Sequence, residues 1–417
     1  MDLDPLLNMT LMACPECDLL HRVPPPPRGG ISLCTRCSAV LERGRQGRLE
    51  TALALYVTAL LLFILANAFP LMILNLHGVT QEASLPRCAQ HLATMGWPWL
   101  AAVLITTVIL APLAHLLGMI LVILHLQRGI QNGWTARLFR IVEEFRGWGM
   151  AEVFVLGLLI AYVKLSQWAI VVPGPSLFAL GAFMIVTAAA VSSLDPLVVW
   201  NRLLPPSQPP VPAGAMTARR AGLVACPTCQ LLSPMDGPHR CPRCGASLHS
   251  RKPNSRQRTW SLLLTAALLY LPANLLPVMA VVNVGHAQAD TILGGILRFV
   301  RDGSYGLALV IFVASILVPL LKMVALTLLL LSEQRGLRWR PDQRARLYRL
   351  MEMVGRWSMV DIFVVTLMVA LVELGSFATV APGAGAVAFA LVVVAGMLAV
   401  RSFDPRLVWD ALEPVDG

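Results

Sequence analysis

Long runs of apolar residues alternate with short polar segments rich in arginine along this chain. A helix needs about 20 apolar residues to cross about 30 Å of hydrocarbon, and several of these runs reach that length. They predict eight membrane-spanning helices, at residues 51–75, 97–126, 150–172, 176–197, 260–283, 304–331, 358–380 and 384–401. Only Pro173-Gly174-Pro175 separates the third run from the fourth, and Pro382-Gly383 separates the last two, so a tight turn is expected at each place.

The composition excludes an ordinary soluble protein. Mean hydropathy is +0.69, and only 13% of the 417 residues are charged. About 50 largely polar residues precede the first apolar run, so no cleavable signal peptide is expected and the amino terminus is predicted to stay in the cytoplasm. An even number of spans then returns the carboxyl terminus to the same side.

The basic residues support this orientation, because cytoplasmic loops carry an excess of lysine and arginine. Five of the 33 basic residues lie elsewhere: Arg87, Arg298 and Arg301 in outer loops, and Lys164 and Lys322 within spans. The net charge of +10 is therefore explained by the excess of lysine and arginine on the predicted cytoplasmic side. Because the arginines are spread over every inner loop, a nucleic-acid partner is not expected.

The two halves of the chain resemble each other. Residues 66–72 align with residues 273–279, residues 136–154 align with residues 345–363, and residues 195–200 align with residues 404–409, which matches Trp200 with Trp409. Each half then contributes four spans in the same orientation. The similarity predicts an all-α polytopic membrane protein made of two parallel four-helix repeats, related by an axis along the membrane normal.

An amphipathic segment lies between the second and third spans of each half. Residues 134–148 and 341–357 interleave arginine with large apolar residues, which is typical of helices in the inner headgroup region. We expect these helices to be elbows that join spans, with no regulatory role.

Eight of the nine cysteines form two sets of paired Cys-x-x-Cys motifs. The sets are Cys14, Cys17, Cys34 and Cys37, and then Cys226, Cys229, Cys241 and Cys244. Two such pairs form a tetrahedral thiolate cage, and a closed four-sulfur shell favours structural zinc. Iron in a rubredoxin-like cage and thiol redox chemistry are the alternatives. Cys88 stands alone in the first outer loop and is interpreted as a free thiol.

The cysteine-rich modules divide the chain into four parts. Modules of about 30 residues bury too small a core to fold alone, so zinc would contribute to their folding free energy. The predicted parts are a first zinc ribbon at 1–48, a first bundle of four helices at 49–204, a linker with a second zinc ribbon at 205–256, and a second bundle of four helices at 257–417. Both ribbons are predicted to lie in the cytoplasm.

Ionisable residues inside hydrocarbon cost at least about 2.5 kcal/mol each, so they mark a pathway or a pairing. Three pairs occupy matching positions in the two halves: His115 with Lys322, Glu152 with Asp361, and Lys164 with Glu373. One interpretation is a salt bridge between Lys164 and Glu373. The other is that Lys322 with Asp361, and His115 with Glu152, exchange protons or bind an anionic head group.

Asparagine and proline interrupt the first apolar run of each half, at Asn67 with Pro70 and at Asn274 between Pro272 and Pro277. Proline removes a backbone donor and frees nearby carbonyl groups. Equivalent interruptions in two repeats are a pointer to a transport site. Kinks that serve only helix packing are the alternative.

Four features together resemble the paraquat-inducible protein A family over nearly the whole chain: the four-cysteine ribbons, the Ala-Asn-x-x-Pro spans, the Gln-Arg-Gly inner turns and the Trp-x-Met segments. The resemblance implies a bacterial inner-membrane protein that works with a tunnel-forming MCE-domain partner to move phospholipid between membranes. It also implies a polar cluster of Lys322, Ser358 and Asp361, with Thr327 nearby. Because His115 stands where the second half has Lys322, the second half is expected to hold the lipid site.

Three functions are compatible with these features, and an enzyme is the least supported, because no nucleophile or open metal site stands out. The first is a lipid transporter subunit in which protonation of Lys322 and Asp361 alters the hold on the lipid. The second is an ion-coupled exporter of small amphipathic compounds that acts without a periplasmic partner. The third is a zinc-dependent membrane scaffold, which would tolerate changes at Lys322 but not at Cys226 or Cys241.

Overall fold

The computed structural model describes most of the chain. The described residues are 10–24, 26–27, 29–44, 48–76, 79–130, 132–146, 149, 151–165, 170–205, 216–283, 286–301, 303–336, 340–355, 363 and 378–410. Most of the seventh predicted span, at 358–380, lies outside them.

The first cysteine-rich segment consists of two short antiparallel hairpins. Strand β1 (Thr10–Ala13) pairs with β2 (Leu20–Val23), and β3 (Ile31–Leu33) pairs with β4 (Val40–Arg43). Each hairpin places one Cys-x-x-Cys motif in the turn between its strands.

The first membrane half contains long helices and a small sheet. Its elements are α1 (Leu49–Ala68), β5 (Met72–Leu76), β6 (Val79–Ala83), α2 (Leu85–Thr94), α3 (Pro98–Leu104), α4 (Ala111–Gln127), α5 (Gly133–Arg146), α6 (Ala151–Leu165), β7 (Ile170–Pro173), α7 (Pro175–Ser193) and α8 (Pro196–Leu203). A π-helical segment, Ile105–Leu110, joins α3 and α4 into one continuous helix.

The second ribbon and the second half follow in the same order. Their elements are β8 (Leu223–Ala225), β9 (Leu232–Pro234), α9 (Ser255–Leu275), β10 (Met279–Asn283), β11 (His286–Asp290), α10 (Ile292–Arg301), α11 (Tyr305–Phe312), α12 (Val318–Gln334), α13 (Pro341–Gly355), β12 (Ala378–Pro382), α14 (Ala384–Ser402) and α15 (Leu407–Asp410). The segment Val313–Leu317 between α11 and α12 is again π-helical.

Five helices of the described chain are long and apolar enough to cross a membrane. They are Leu49–Ala68, Pro98–Gln127, Pro175–Ser193, Ala308–Gln334 and Ala384–Ser402. Four of them agree closely with the predicted second, fourth, sixth and eighth spans. The two amphipathic segments are helical as well, at α5 and α13.

The fold is mostly helical, but one end of several predicted spans was wrong. The predicted spans at 51–75, 150–172, 260–283 and 358–380 each end in a strand: β5, β7, β10 and β12. Strand β5 pairs with β6 and β7, and β10 pairs with β11 and β12, so each half carries a three-stranded antiparallel sheet. The predicted Pro-Gly turns therefore connect a strand to a helix. Hydropathy does not distinguish a short apolar strand from the end of an apolar helix.

The asparagines near the ends of α1 and α9 bond to their own helices. The Asn67 Nδ2 group donates to the Phe63 carbonyl at 2.8 Å, and the Asn274 Nδ2 group donates to the Tyr270 carbonyl at 2.9 Å. Pro277 lies after the end of α9 and not inside a span. The predicted interruption of a membrane span at Asn274 and Pro277 was therefore wrong, because the helix ends there and a strand begins.

Helix α1 packs along α7, and α9 packs along α14. The buried side of α1 is a single stripe, because its residues recur every three or four positions. That stripe consists of Ala52, Tyr56, Ala59, Phe63 and Ala66. Its small residues allow the helices to approach closely, as in other membrane bundles. Large apolar residues such as Ile185 of α7 point outward, with 73% of the residue exposed.

We expect Gly174→Ala to lower the free energy of unfolding by about 1–3 kcal/mol. Gly174 lies between β7 and α7, where an added Cβ would overlap the Pro70 carbonyl oxygen, and backbone cannot move aside as a flexible side chain can. The control is Gly181→Ala within α7, where nothing lies within 4 Å of an added Cβ. Thermal unfolding in detergent measures both, and equal midpoints would contradict the prediction.

Candidate functional site

The four Cys-x-x-Cys motifs form the same tight turn. In each, the amide of the residue after the second cysteine donates to the carbonyl of the first cysteine, at 2.8 to 3.0 Å. That residue has a left-handed backbone, with φ between 58° and 71°, at Asp18, Ser38, Gln230 and Gly245. The turn directs both sulfur atoms of a motif toward one point. We call this turn a knuckle.

The knuckles of the first ribbon bring four buried sulfur atoms together. The Sγ atoms of Cys14 and Cys37 are 3.4 Å apart, and those of Cys17 and Cys34 are 3.5 Å apart. All four sulfur atoms lie within 4.8 Å of one another. The Nε2 atom of His21 lies 3.2 Å from Cys34 Sγ, so its N–H can donate to that sulfur.

The second ribbon repeats this geometry. The Sγ atoms of Cys226 and Cys244 are 3.5 Å apart, as are those of Cys229 and Cys241, and all four are within 4.8 Å. Four thiolates bound at about 2.3 Å around a tetrahedral ion lie about 3.7 Å apart. Both cages therefore have the size and the donor set to hold a metal ion. The predicted grouping of the eight cysteines is matched in full.

The ninth cysteine has a different environment. Cys88 lies in α2, is 2% exposed and forms no disulfide. Burial raises the pKa of its thiol to about 12. The thiol is therefore protonated and out of reach of a second protein chain, in agreement with its interpretation as free.

Each ribbon packs against the half that it does not directly precede. Met12 and Leu41 of the first ribbon share a hydrophobic cluster with Tyr348 of α13. Leu231 of the second ribbon shares a cluster with Phe139 of α5. We call this arrangement crossed docking.

Arginines of the amphipathic helices bind the knuckles directly. Arg349 of α13 donates to the carbonyls of Cys37 at 2.6 Å and Ser38 at 2.9 Å. Arg140 of α5, its counterpart in the first half, donates to the carbonyl of Cys244 at 3.1 Å. Each guanidinium therefore caps the second knuckle of the opposite ribbon. Beside their expected place as elbows between spans, these helices therefore also bind the ribbons.

Two arginines inside the motifs extend the same contact. The Arg36 guanidinium lies 4.4 Å from the ring centroid of Trp409 in α15, and that of Arg243 lies 5.9 Å from the ring centroid of Trp200 in α8. A guanidinium at these distances is attracted to the face of an indole ring. Arg243 also donates to Asn201 Oδ1 at 2.8 Å.

The two ribbons contact each other through Asp18. Its carboxylate accepts hydrogen bonds from Arg251 Nη2 and from the Arg219 amide, both at 3.2 Å, and Arg251 also binds Asp410 at 2.7 Å. Burial raises the pKa of Asp18, and Arg251 opposes that shift. Burial likewise raises the pKa of Glu16 to about 7, although Arg349 lies 3.3 Å away.

A cavity of about 600 Å³ lies at the ribbon-facing end of the first bundle. Its walls come from α4, α6, α7 and α8, and its rim comes from β4 of the first ribbon and from Thr228 and Gln230 of the second. His115 and Glu152, which the sequence paired, both line it. Glu152 is exposed, whereas His115 is 6% exposed.

The predicted polar cluster of the second half is described only in part. Lys322 is buried in α12, at 6% exposed. Thr327 lies on the same helix, and its hydroxyl donates to the Met323 carbonyl of that helix at 2.8 Å. The other predicted members lie outside the described residues: Ser358, Asp361 and Glu373. The same holds for the side chain of Lys164.

The sequence did not indicate that Arg140 and Arg349 bind the ribbons, or that ribbon residues form the rim of the cavity. The repeat alignment had matched residues 136–140 with 345–349, which contain Arg140 and Arg349, and had matched Trp200 with Trp409. The available signal was that an arginine and a tryptophan each occur at matching positions in both halves. It could not indicate a contact with the ribbon of the opposite half.

Comparisons with known proteins place the chain in a family. The profile of the family described as Paraquat-inducible protein A matches residues 49–204 and again residues 256–413. The chain is 35% identical over 400 residues to the intermembrane transport protein PqiA of Escherichia coli K12, covering 95% of each chain.

Two further relatives have similar names. The lipophilic envelope-spanning tunnel protein A of the same organism is 33% identical over 405 residues, covering 96% of this chain and 91% of its own length. A probable intermembrane transport protein of Haemophilus influenzae is 26% identical over 419 residues, covering 96% of this chain and 95% of its own length. All three names denote transport or tunnel proteins and none denotes an enzyme. No solved structure matches. The chain belongs to the paraquat-inducible protein A family.

Proposed function

We propose that this protein is the bacterial inner-membrane subunit of an intermembrane lipid transport system. It would load phospholipid into, or unload it from, an MCE-domain tunnel partner in the periplasm, with protonation as the coupling step. The observation that carries the proposal is similarity along 95% of both chains to an intermembrane transport protein. The many outward-facing apolar residues on the long helices support a membrane location.

The proposed topology has eight spans in two parallel repeats, with both termini and both ribbons in the cytoplasm. The proposed parts are the ribbon at 1–48, the bundle at 49–204, the linker and ribbon at 205–256 and the bundle at 257–417. Two matches to one family profile support the repeat. Five long apolar helices in the described chain support a multi-pass protein, and the distribution of basic residues supports the orientation.

We assign zinc to both cages, as a structural ion. Four cysteine donors select a soft or borderline metal, and zinc accepts the tetrahedral geometry without preference for another. The bound ion would neutralise the clustered thiolates and hold the knuckles that Arg140 and Arg349 contact. No position of the shell remains open for catalysis.

The proposed lipid and proton pathway runs through the second half. Lys322 is the central residue of this proposed pathway, because a lysine buried inside an apolar bundle requires a functional or structural partner. Asp361, Ser358 and Glu373 would complete the pathway. Thr327 and Asn274 contribute less, because each already bonds to a carbonyl of its own helix.

We expect Lys322→Ala to lower phospholipid transfer to the partner by about tenfold or more, because removal of the charge abolishes the proposed exchange with Asp361. The assay follows a fluorescent phospholipid from liposomes that hold this protein to a purified MCE-domain acceptor. Leu321→Ala is the control, since this neighbouring residue is 54% exposed. Unchanged transfer by both Lys322→Ala and Asp361→Asn contradicts the pathway, and efflux of small amphipathic compounds without the acceptor contradicts the lipid role.

We expect the purified protein to contain two zinc ions per chain, one for each cage. Cys34→Ser and Cys226→Ser should each remove one ion, whereas Cys88→Ser should remove none. Elemental analysis of the detergent-solubilised protein measures the metal. Stoichiometric iron, or a wild-type protein without metal, would overturn the zinc assignment.

Crossed docking predicts which ribbon each arginine protects. Arg140→Ala should speed metal loss from the second ribbon about tenfold and leave the first unchanged, and Arg349→Ala should do the reverse, because each removes a charged donor from one knuckle. The experiment adds a chelator, alkylates the released thiols and assigns the modified cysteines by mass spectrometry.

The control variants are Arg137→Ala and Arg346→Ala, which change exposed arginines at matching positions on the same two helices. They should release metal at the wild-type rate from both ribbons. If each arginine instead protects the ribbon that precedes its own half, crossed docking is wrong.

A further inference from the structure

The cavity of the first half contains buried polar atoms that have no hydrogen-bond partner among the described residues. They are His115 Nε2, Thr187 Oγ1 and Glu42 Oε2, and all three residues line the cavity. A buried polar atom without a partner costs about 1–3 kcal/mol, so three in one cavity indicate a ligand that would satisfy them.

The chemistry of His115 is determined by its other ring nitrogen. Nδ1 lies 3.3 Å from the Val142 carbonyl oxygen, which can only accept, so Nδ1 carries the hydrogen atom. In the neutral ring, Nε2 is then a hydrogen-bond acceptor. The ring of Tyr56 packs against the imidazole ring in a T-shaped arrangement, with the two ring centroids 5.9 Å apart. His115 therefore presents an acceptor to the cavity.

Thr187 differs from Thr107 and Thr327, two other threonines on long helices. The hydroxyls of Thr107 and Thr327 donate to a carbonyl four residues earlier, at 2.7 and 2.8 Å. The Thr187 hydroxyl makes no such bond in the described structure and stays available to a ligand. Glu42 adds a carboxylate oxygen from the ribbon side. The buried lining is thus rich in acceptors and needs a donor with several hydrogen atoms.

Charged side chains of both signs also line the cavity. The cations are Arg43 and Arg146, and the guanidinium of Arg146, whose side chain is 42% exposed, binds Glu143 at 3.1 Å. Glu152 and Asp195 add carboxylates to the lining, and its apolar residues include Leu116, Phe183 and Val191. A ligand that fits has an N–H-bearing cation, an adjacent anion and apolar chains.

We propose that this cavity binds the head group of an amino-phospholipid, whose primary ammonium donates to His115, Thr187 and Glu42 and whose phosphate lies beside Arg146. The proposal rests on the proposed lipid function and adds a second lipid site, in the first half. A choline head group has no N–H and cannot replace the three missing bonds. A glycerol head group has no cation to pair with Glu42.

The test uses phosphatidylethanolamine with a photoreactive group near the head-group end of one acyl chain, and phosphatidylcholine labelled in the same way. Both are incorporated into nanodiscs that hold the full protein, and mass spectrometry locates the adducts. We expect phosphatidylethanolamine to label peptides of α4 and α7 about fivefold more than phosphatidylcholine does. Thr187→Val and Glu42→Gln should each remove this preference.

The matched control is Thr107→Val, because the Thr107 hydroxyl is buried and already bonded to its own helix. It should keep the wild-type preference. Equal labelling of α4 and α7 by the two lipids, or an unchanged preference in Thr187→Val, overturns the proposal. Excess O-phosphoethanolamine should not compete, and full competition would assign the cavity to a soluble amine instead.

The labelling also separates this proposal from the lipid function itself. Adducts confined to the second half would overturn the first-half site and leave lipid transport intact. No adduct in either half, together with no transfer to the acceptor, would overturn the proposed function.

Discussion

Eight buried sulfur atoms, held in two groups within 4.8 Å, are the constraint on which the architecture of the two ribbons depends. Thiolates buried this closely repel one another unless a cation lies between them. The strands around them contain only three or four residues, so the cages and not a core determine the shape of each ribbon. Once the cages are closed, the knuckle carbonyls have fixed positions and can accept hydrogen bonds from another part of the chain.

Crossed docking uses those fixed carbonyls to connect the two halves. Arg140 lies on α5 and Arg349 on α13, so each ribbon is bound by a helix of the half that it does not directly precede. The ribbons also border the first-half cavity, through β4 and through Thr228 and Gln230. A displacement of either ribbon therefore changes the rim of that cavity. The four-cysteine ribbons and the cavity of the first half are therefore structurally connected.

Much of the candidate site could be predicted, because its signals are local. Cys-x-x-Cys spacing predicted the grouping of the cysteines in both cages, and one of the two interpretations of the ionisable residues paired His115 with Glu152, which line the same cavity. The strands β5 and β10 were missed, because their apolar residues extend the hydropathy of the preceding helices. Asn274 was read as part of a transport site, and its bond to Tyr270 appears only in the folded helix.

The sequence by itself determined which segments are apolar enough to cross a membrane and which cysteines share a cage, because hydropathy and spacing act between near neighbours. Only the tertiary structure decided which bundle each ribbon joins and which acceptors remain unpaired in the cavity. Arg140 and Cys244 are 104 positions apart, and Arg349 and Cys37 are 312 apart. Such contacts depend on how all the helices pack, and no local pattern of residue types encodes that packing.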